Sequence, residues 1–159
     1  MSHPWQLLVF LLTLLVGGPL TEELGWRGFA LDRLQARWNA FPTSLILGSI
    51  WALWHLPLFF TPRMPQYGMG VGTADFWLFL VSIISLAVII TWVYNHTQRS
   101  VLAAMLLHFL FNTTFALLSV FGQVIPVRAL FFGTSLQVLV ALIVGIWQTK
   151  TPRRSRVGL

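Results

Sequence analysis

The chain has 159 residues, 57% hydrophobic and only 9% charged, with a mean hydropathy of +0.78. A soluble domain carries about 25% charged residues, so composition excludes that class and leaves a membrane protein. The net charge of +6 does not point to nucleic acid. Lys150, Arg153, Arg154 and Arg156 form a basic tail at 149–159, suited to anionic lipid, and the remaining arginines are scattered through short loops. Apolar runs follow at 4–30, 42–60, 75–95, 99–121 and 129–148, which predicts an all-α bundle of about five transmembrane helices forming one domain over 1–159.

The first run opens at Trp5 with no Lys or Arg before it, and no small-residue cleavage pattern follows Val16. It reads as the first half of a spanning helix rather than a cleaved leader. Gly17-Gly18-Pro19 interrupts it, because Pro19 cannot donate a backbone bond and clashes with the preceding turn. A kinked helix continuing to about Arg33 is the expected outcome. The alternative is a second helix restarting at Pro19 with Thr21 as its cap. Connections fall at Asp32–Asn39, Thr61–Thr73, Asn95–Arg99 and Gly122–Arg128, the second rich in Gly and Pro and expected to be irregular. Asp32 is expected to partner a nearby arginine at the interface, and Asp75 to cap the third long span. His3 and His96 lie at segment ends and should be solvated.

Lys and Arg in short loops set orientation. With five spans, Arg27, Arg33, Arg37, Arg99 and the tail fall on one side, and only Arg63 and Arg128 on the other. That places the C-terminus in the cytoplasm and the N-terminus outside, in a cell membrane. Cysteine is absent, so neither thiolate metal sites nor a cysteine nucleophile enters the argument.

Against this apolar background stand Glu22, Glu23, Arg27, His55, His108 and Asn112. Ionisable groups at membrane depth are costly and usually mark a protected functional site. Arg33, Pro42 and Arg99 serve as cytoplasmic edges. Glu22 and Glu23 then lie about 15 Å deep, His55 about 20 Å and His108 about 14 Å. Three spans therefore bring these groups to one level. Glu23 and Arg27 are four residues apart and share a helix face, so they can form an ion pair. Glu22, rotated by about 100°, is left free to act. His108 and Asn112 present an imidazole and an amide side by side, and Pro57 should open the helix beside His55. A carboxylate near an imidazole can move a proton from water to a leaving amine, while Asn and His can donate to an oxyanion. The chemistry fits peptide hydrolysis.

Glu22-Glu23-Leu24-Gly25-Trp26-Arg27 resembles the E-E-x-x-x-R motif of the CPBP family, which includes type II CAAX prenyl endopeptidases and bacteriocin-processing or abortive-infection proteins. Trp51 to His55 is similar to its F-x-x-x-H motif and His108 to Asn112 to its H-x-x-x-N motif, in the family's order. The resemblance implies an intramembrane endopeptidase opening toward the cytoplasm. Glu22 and His55 would activate water, His108 and Asn112 would form the oxyanion site, and Arg27 would hold Glu23. The substrate would be a peptide or protein, such as a prenylated C-terminus or a bacteriocin-like precursor. Trp51 in place of Phe is expected to change packing and leave the chemistry intact. Members of that family commonly have six to eight spans, so the resemblance implies a late start, a fragment lacking helices ahead of the first motif, or a short member. No cofactor is favoured. The alternative is Zn²⁺ on Glu22, His55 and His108 with an open position for water, although no H-E-x-x-H pattern occurs. A haem held by His55 and His108 would leave the glutamates, Arg27 and Asn112 without a role. A catalytically idle immunity or chaperone-like protein of the same family is the remaining alternative.

Overall fold

The computed structural model describes residues 4–120 and 127–150, and every regular element among them is helical. Helix α1 runs through 4–35, α2 is Ala40–Trp54, α3 is Pro65–Met69, α4 is Ala74–His96, α5 is Val101–Val120 and α6 is Val127–Lys150. Among the described residues four helices are long and apolar enough to cross a membrane: Trp5–Gln35, Ala40–Phe60, Ala74–His96 and Leu130–Thr149. Val101–Leu117 is a shorter apolar helix beside them. The chain is an integral membrane protein built as a polytopic helical bundle. Of the expected connection at Gly122–Arg128, residues 122–126 lie outside the described residues and 127–128 already belong to α6; the stretch 151–159 and His3 also lie outside them.

Helix α1 does not break at Pro19. It widens into a π-helical turn at Val16–Leu20, returns to α geometry over Thr21–Gly25, and widens again at Trp26–Leu31. Thr21 does not cap a new helix, which corrects that alternative. Its hydroxyl instead donates back to the Gly18 carbonyl at 3.1 Å and the Val16 carbonyl at 3.4 Å. Helix α2 leaves α geometry at His55 and continues as a 3₁₀ turn over Leu56–Phe60, because Pro57 has no N–H to extend it. The Thr61–Thr73 loop is less irregular than its composition suggests, since it contains the short α3.

The cap of α4 is also corrected. Thr73 accepts the Phe76 N–H at 3.3 Å, whereas Asp75 sits within the first helical turn. Asp32 meets the expected arginine from far along the chain. Tyr94 Oη donates to Asp32 Oδ2 at 3.2 Å, and Arg99 Nη1 donates to the same oxygen at 3.4 Å. These contacts join the basic end of α1 to the α4–α5 turn. His96 is exposed, its Nδ1 against the Trp92 carbonyl at 2.8 Å.

Two buried clusters hold the bundle. One groups Trp51, Ala52, Ile83, Leu86, Ala87, Ile90 and Ala104; the other groups Leu31, Leu47 and Tyr94. Between lipid-bathed helices there is no hydrophobic drive, so close backbone approach and polar contacts carry association. Ser44, Gly48 and Ala52 recur every four residues on α2, all buried. A Cβ on Gly48 would lie 2.8 Å from Ala87 Cβ and 3.1 Å from Ile84 Cα on α4. Helix α6 attaches to α4 through polar groups. Ser82 Oγ donates to Gln137 Oε1 and Gln137 Nε2 to the Ser82 carbonyl, both at 2.9 Å, and Gln148 Nε2 donates to the Val88 carbonyl at 3.2 Å.

Gly48→Ala should therefore destabilise the fold by about 1–3 kcal/mol, because Ile84 backbone must move. Gly17→Ala, where an added Cβ meets nothing within 4 Å, serves as the control that should not destabilise. Thermal or denaturant unfolding in detergent compares the two.

Candidate active site

The two π turns of α1 isolate a single α turn, Thr21–Gly25, that carries both glutamates. Wide turns of this kind are rare and often occur at functional sites. Here they bracket the acid pair. The local cause on one side is Pro19, whose missing N–H lets the turn expand instead of demanding a broken bond.

Glu23 and Arg27 are fully buried. Arg27 Nη1 donates to Glu23 Oε1 at 2.8 Å. His108, on α5 and 3% exposed, places Nδ1 2.9 Å from the same oxygen. An ionised carboxylate only accepts, so Nδ1 donates to it, and Nε2 is the ring nitrogen left for another partner. Glu23 thus gathers a guanidinium from its own helix and an imidazole from another. Removing one partner of such a buried pair strands a charge, at about 3–5 kcal/mol.

Trp51 lies at the centre, 1% exposed. The Arg27 guanidinium stands 5.0 Å from its ring centroid, and the His108 ring meets it edge-on at 5.0 Å and 78°. The Trp51 indole Nε1 donates to Glu22 Oε2 at 2.6 Å. Its backbone carbonyl accepts a hydrogen bond from His55 Nδ1 at 2.8 Å. His55 also packs edge-on against Phe79, with centroids 5.4 Å apart. Since a carbonyl only accepts, His55 also presents Nε2 as its unused nitrogen. The helix end makes this possible. His55 N–H bonds the Ala52 carbonyl at 3.1 Å, which leaves the Trp51 carbonyl for the ring.

Gly18 closes the group. A Cβ built there would lie 3.4 Å from Glu22 Oε1 and 3.6 Å from Asn112 Nδ2. The free carboxylate oxygen and the amide therefore face one point, which the missing side chain keeps open. Glu22, His55 and Asn112 are half-buried, unlike Glu23 and Arg27.

All six residues singled out in the sequence lie on the three converging segments, yet they form two sets. Glu23, Arg27 and His108 bond directly, while Glu22, His55 and Asn112 assemble around Trp51 and Gly18. Among the described residues no hydrogen bond joins His55 to Glu22, nor His108 to Glu22. Among the described residues no three His, Cys, Asp or Glu side chains cluster as metal ligands. The Trp51 ring packs against both His55 and His108, with centroids 5.9 Å and 5.0 Å apart.

Sequence reasoning missed Trp51 and Gly18 as members of the group. Trp51 was legible as something more than packing, since it is four residues from His55 and shares its helix face. Gly18 was visible only as a helix interrupter.

Comparison with known proteins bears on the same stretch. The family described as "Type II CAAX prenyl endopeptidase Rce1-like" matches residues 4–114. The "CAAX prenyl protease 2" of Methanococcus maripaludis is 40% identical over 100 residues, covering 62% of this chain and 37% of that protein. The chain thus spans little more than a third of that relative's length. The matched region takes in the acid pair, the Trp51 turn and the His108–Asn112 face within more than half of the sequence. On that ground the chain belongs to the Rce1-like, type II CAAX prenyl endopeptidase family.

Proposed function

We propose that this chain is an intramembrane endopeptidase core that hydrolyses a peptide bond in the cytoplasmic half of the bilayer. The observation that carries the reading is the convergence of Glu22, His55 and Asn112 from three helices around Trp51 and Gly18, beside the buried Glu23–Arg27–His108 group. Family membership supports the same reaction class.

In the proposed mechanism Glu22 and His55 prepare the nucleophile. Glu22 Oε2 is held by Trp51, so Oε1 is the oxygen that takes a proton from water, with His55 Nε2 as the second acceptor. Hydroxide oxygen bonds the scissile carbonyl carbon, and the carbonyl π pair moves onto oxygen. Asn112 Nδ2 donates to that oxyanion, joined by His108 Nε2 in its doubly protonated form, whose Nδ1 stays on Glu23. The C–N bond then breaks, and the proton held by Glu22 passes to the departing amine. Glu23 and Arg27 serve as the structural ion pair that fixes His108.

The substrate is proposed to be a peptide segment reached from the membrane, with the bilayer itself as the second partner. A prenylated C-terminus is the first candidate, after the name of the relative. The proposed setting is the plasma membrane, with the C-terminus cytoplasmic and the N-terminus outside, a reading supported by the distribution of loop arginines. The reaction is proposed to run without a metal, with Zn²⁺ on Glu22, His55 and His108 as the alternative.

Glu22→Ala should abolish cleavage of an internally quenched prenylated peptide in liposomes, at least about a hundredfold, with unfolding unchanged. Retained turnover would refute the assignment. Gly18→Ala should stabilise the helix by about 0.5–1 kcal/mol and still lower turnover, because its methyl enters the gap between Glu22 and Asn112. Gly17→Ala should leave turnover intact. Phenanthroline or EDTA should not inhibit, and elemental analysis should find well under one zinc per chain; stoichiometric zinc restoring lost activity would overturn the metal-free route.

A further inference from the structure

We infer that Trp51 is a positioning residue that sets the orientation of both members of the water-activating pair. This rests on the hydrolytic reading above and deepens it. The indole N–H reaches Glu22 Oε2 at 2.6 Å, and the carbonyl of the same residue holds His55 Nδ1 at 2.8 Å. Trp51 therefore touches an acid on α1 and an imidazole at the end of α2, using side chain for one and backbone for the other.

An indole nitrogen can only donate, so this contact fixes Glu22 Oε2 as acceptor and leaves Oε1 as the reactive oxygen. The donor cannot swing aside. Its ring is 1% exposed, with Arg27 stacked at 5.0 Å and His108 edge-on at 5.0 Å. With Oε2 held, Oε1 points into the gap at Gly18 that Asn112 Nδ2 also faces. A carboxylate with one oxygen tied has fewer rotamers to lose on reaching the reactive geometry, which is a term in kcat rather than in substrate binding. A phenylalanine at this position would keep the ring packing and lose the donor. The change from Phe to Trp relative to the resembling motif thus adds a hydrogen bond to the proposed acid, in addition to bulk.

The test replaces Trp51 in the full chain by Phe and, separately, by benzothienylalanine, which keeps the bicyclic shape and puts sulfur where the N–H stands. Activity is read in liposomes on an internally quenched prenylated peptide, with kcat and KM determined separately and unfolding followed in detergent. Both variants should lose about ten- to hundredfold in kcat with KM changed by less than about twofold. The isostere should keep the native unfolding temperature. If Trp51→Phe fails to fold, the isostere alone decides. An isostere that keeps wild-type kcat while Glu22→Ala is inactive would overturn the positioning role and leave the hydrolytic reading standing. An active Glu22→Ala would instead remove that reading itself.

Discussion

Charge at bilayer depth must be compensated within the protein, and the Glu23–Arg27 contact is where this chain meets that requirement. Both side chains are fully buried and joined at 2.8 Å. Unpaired, either would face a penalty of several kcal/mol in the membrane. The pair also ties α1 to α5, because His108 shares the same carboxylate oxygen. The rest of the site is arranged around that neutralised knot. Trp51 packs on the guanidinium and the imidazole, and from there reaches Glu22 and His55.

The scaffold holding these helices at fixed spacing is made of small residues and side-chain amides. Gly48 lets α2 press against Ala87 and Ile84 of α4, one helical turn before Trp51. Glutamines 137 and 148 fasten α6 to α4. Neither contact includes a site residue. Together they fix the helix that carries Trp51 and His55, so the site inherits its geometry from packing several ångströms away.

Much of this was readable from spacing. The helical class and the apolar runs follow from hydropathy, and the Glu23–Arg27 contact follows from a four-residue interval on one helix. Common depth predicted that segments around 22, 55 and 108 would meet. What was not readable is angular. Depth arithmetic gives height along a helix but not rotation about it, so it could not show His108 turning to Glu23 and Trp51 to Glu22. The behaviour of Pro19 was also ambiguous, because a missing N–H can end a helix or widen it, and the neighbouring Gly residues tolerate both. Asp75 was a reasonable cap by residue type, yet Thr73 stands where its hydroxyl reaches the Phe76 amide.

The wide turns of α1 amount to surplus residues inserted into an otherwise regular coil. A helix advances about 100° with each residue, so excising one position from Val16–Leu20 would rotate everything before it relative to everything after. Glu22 would then stand at a different azimuth from Gly18, although the sequence of the acid pair itself had not changed. The identity of the carboxylate that faces Gly18 and Asn112 is thus encoded in the count of residues upstream of it, so an insertion or deletion there would displace that acid as surely as a substitution would remove it.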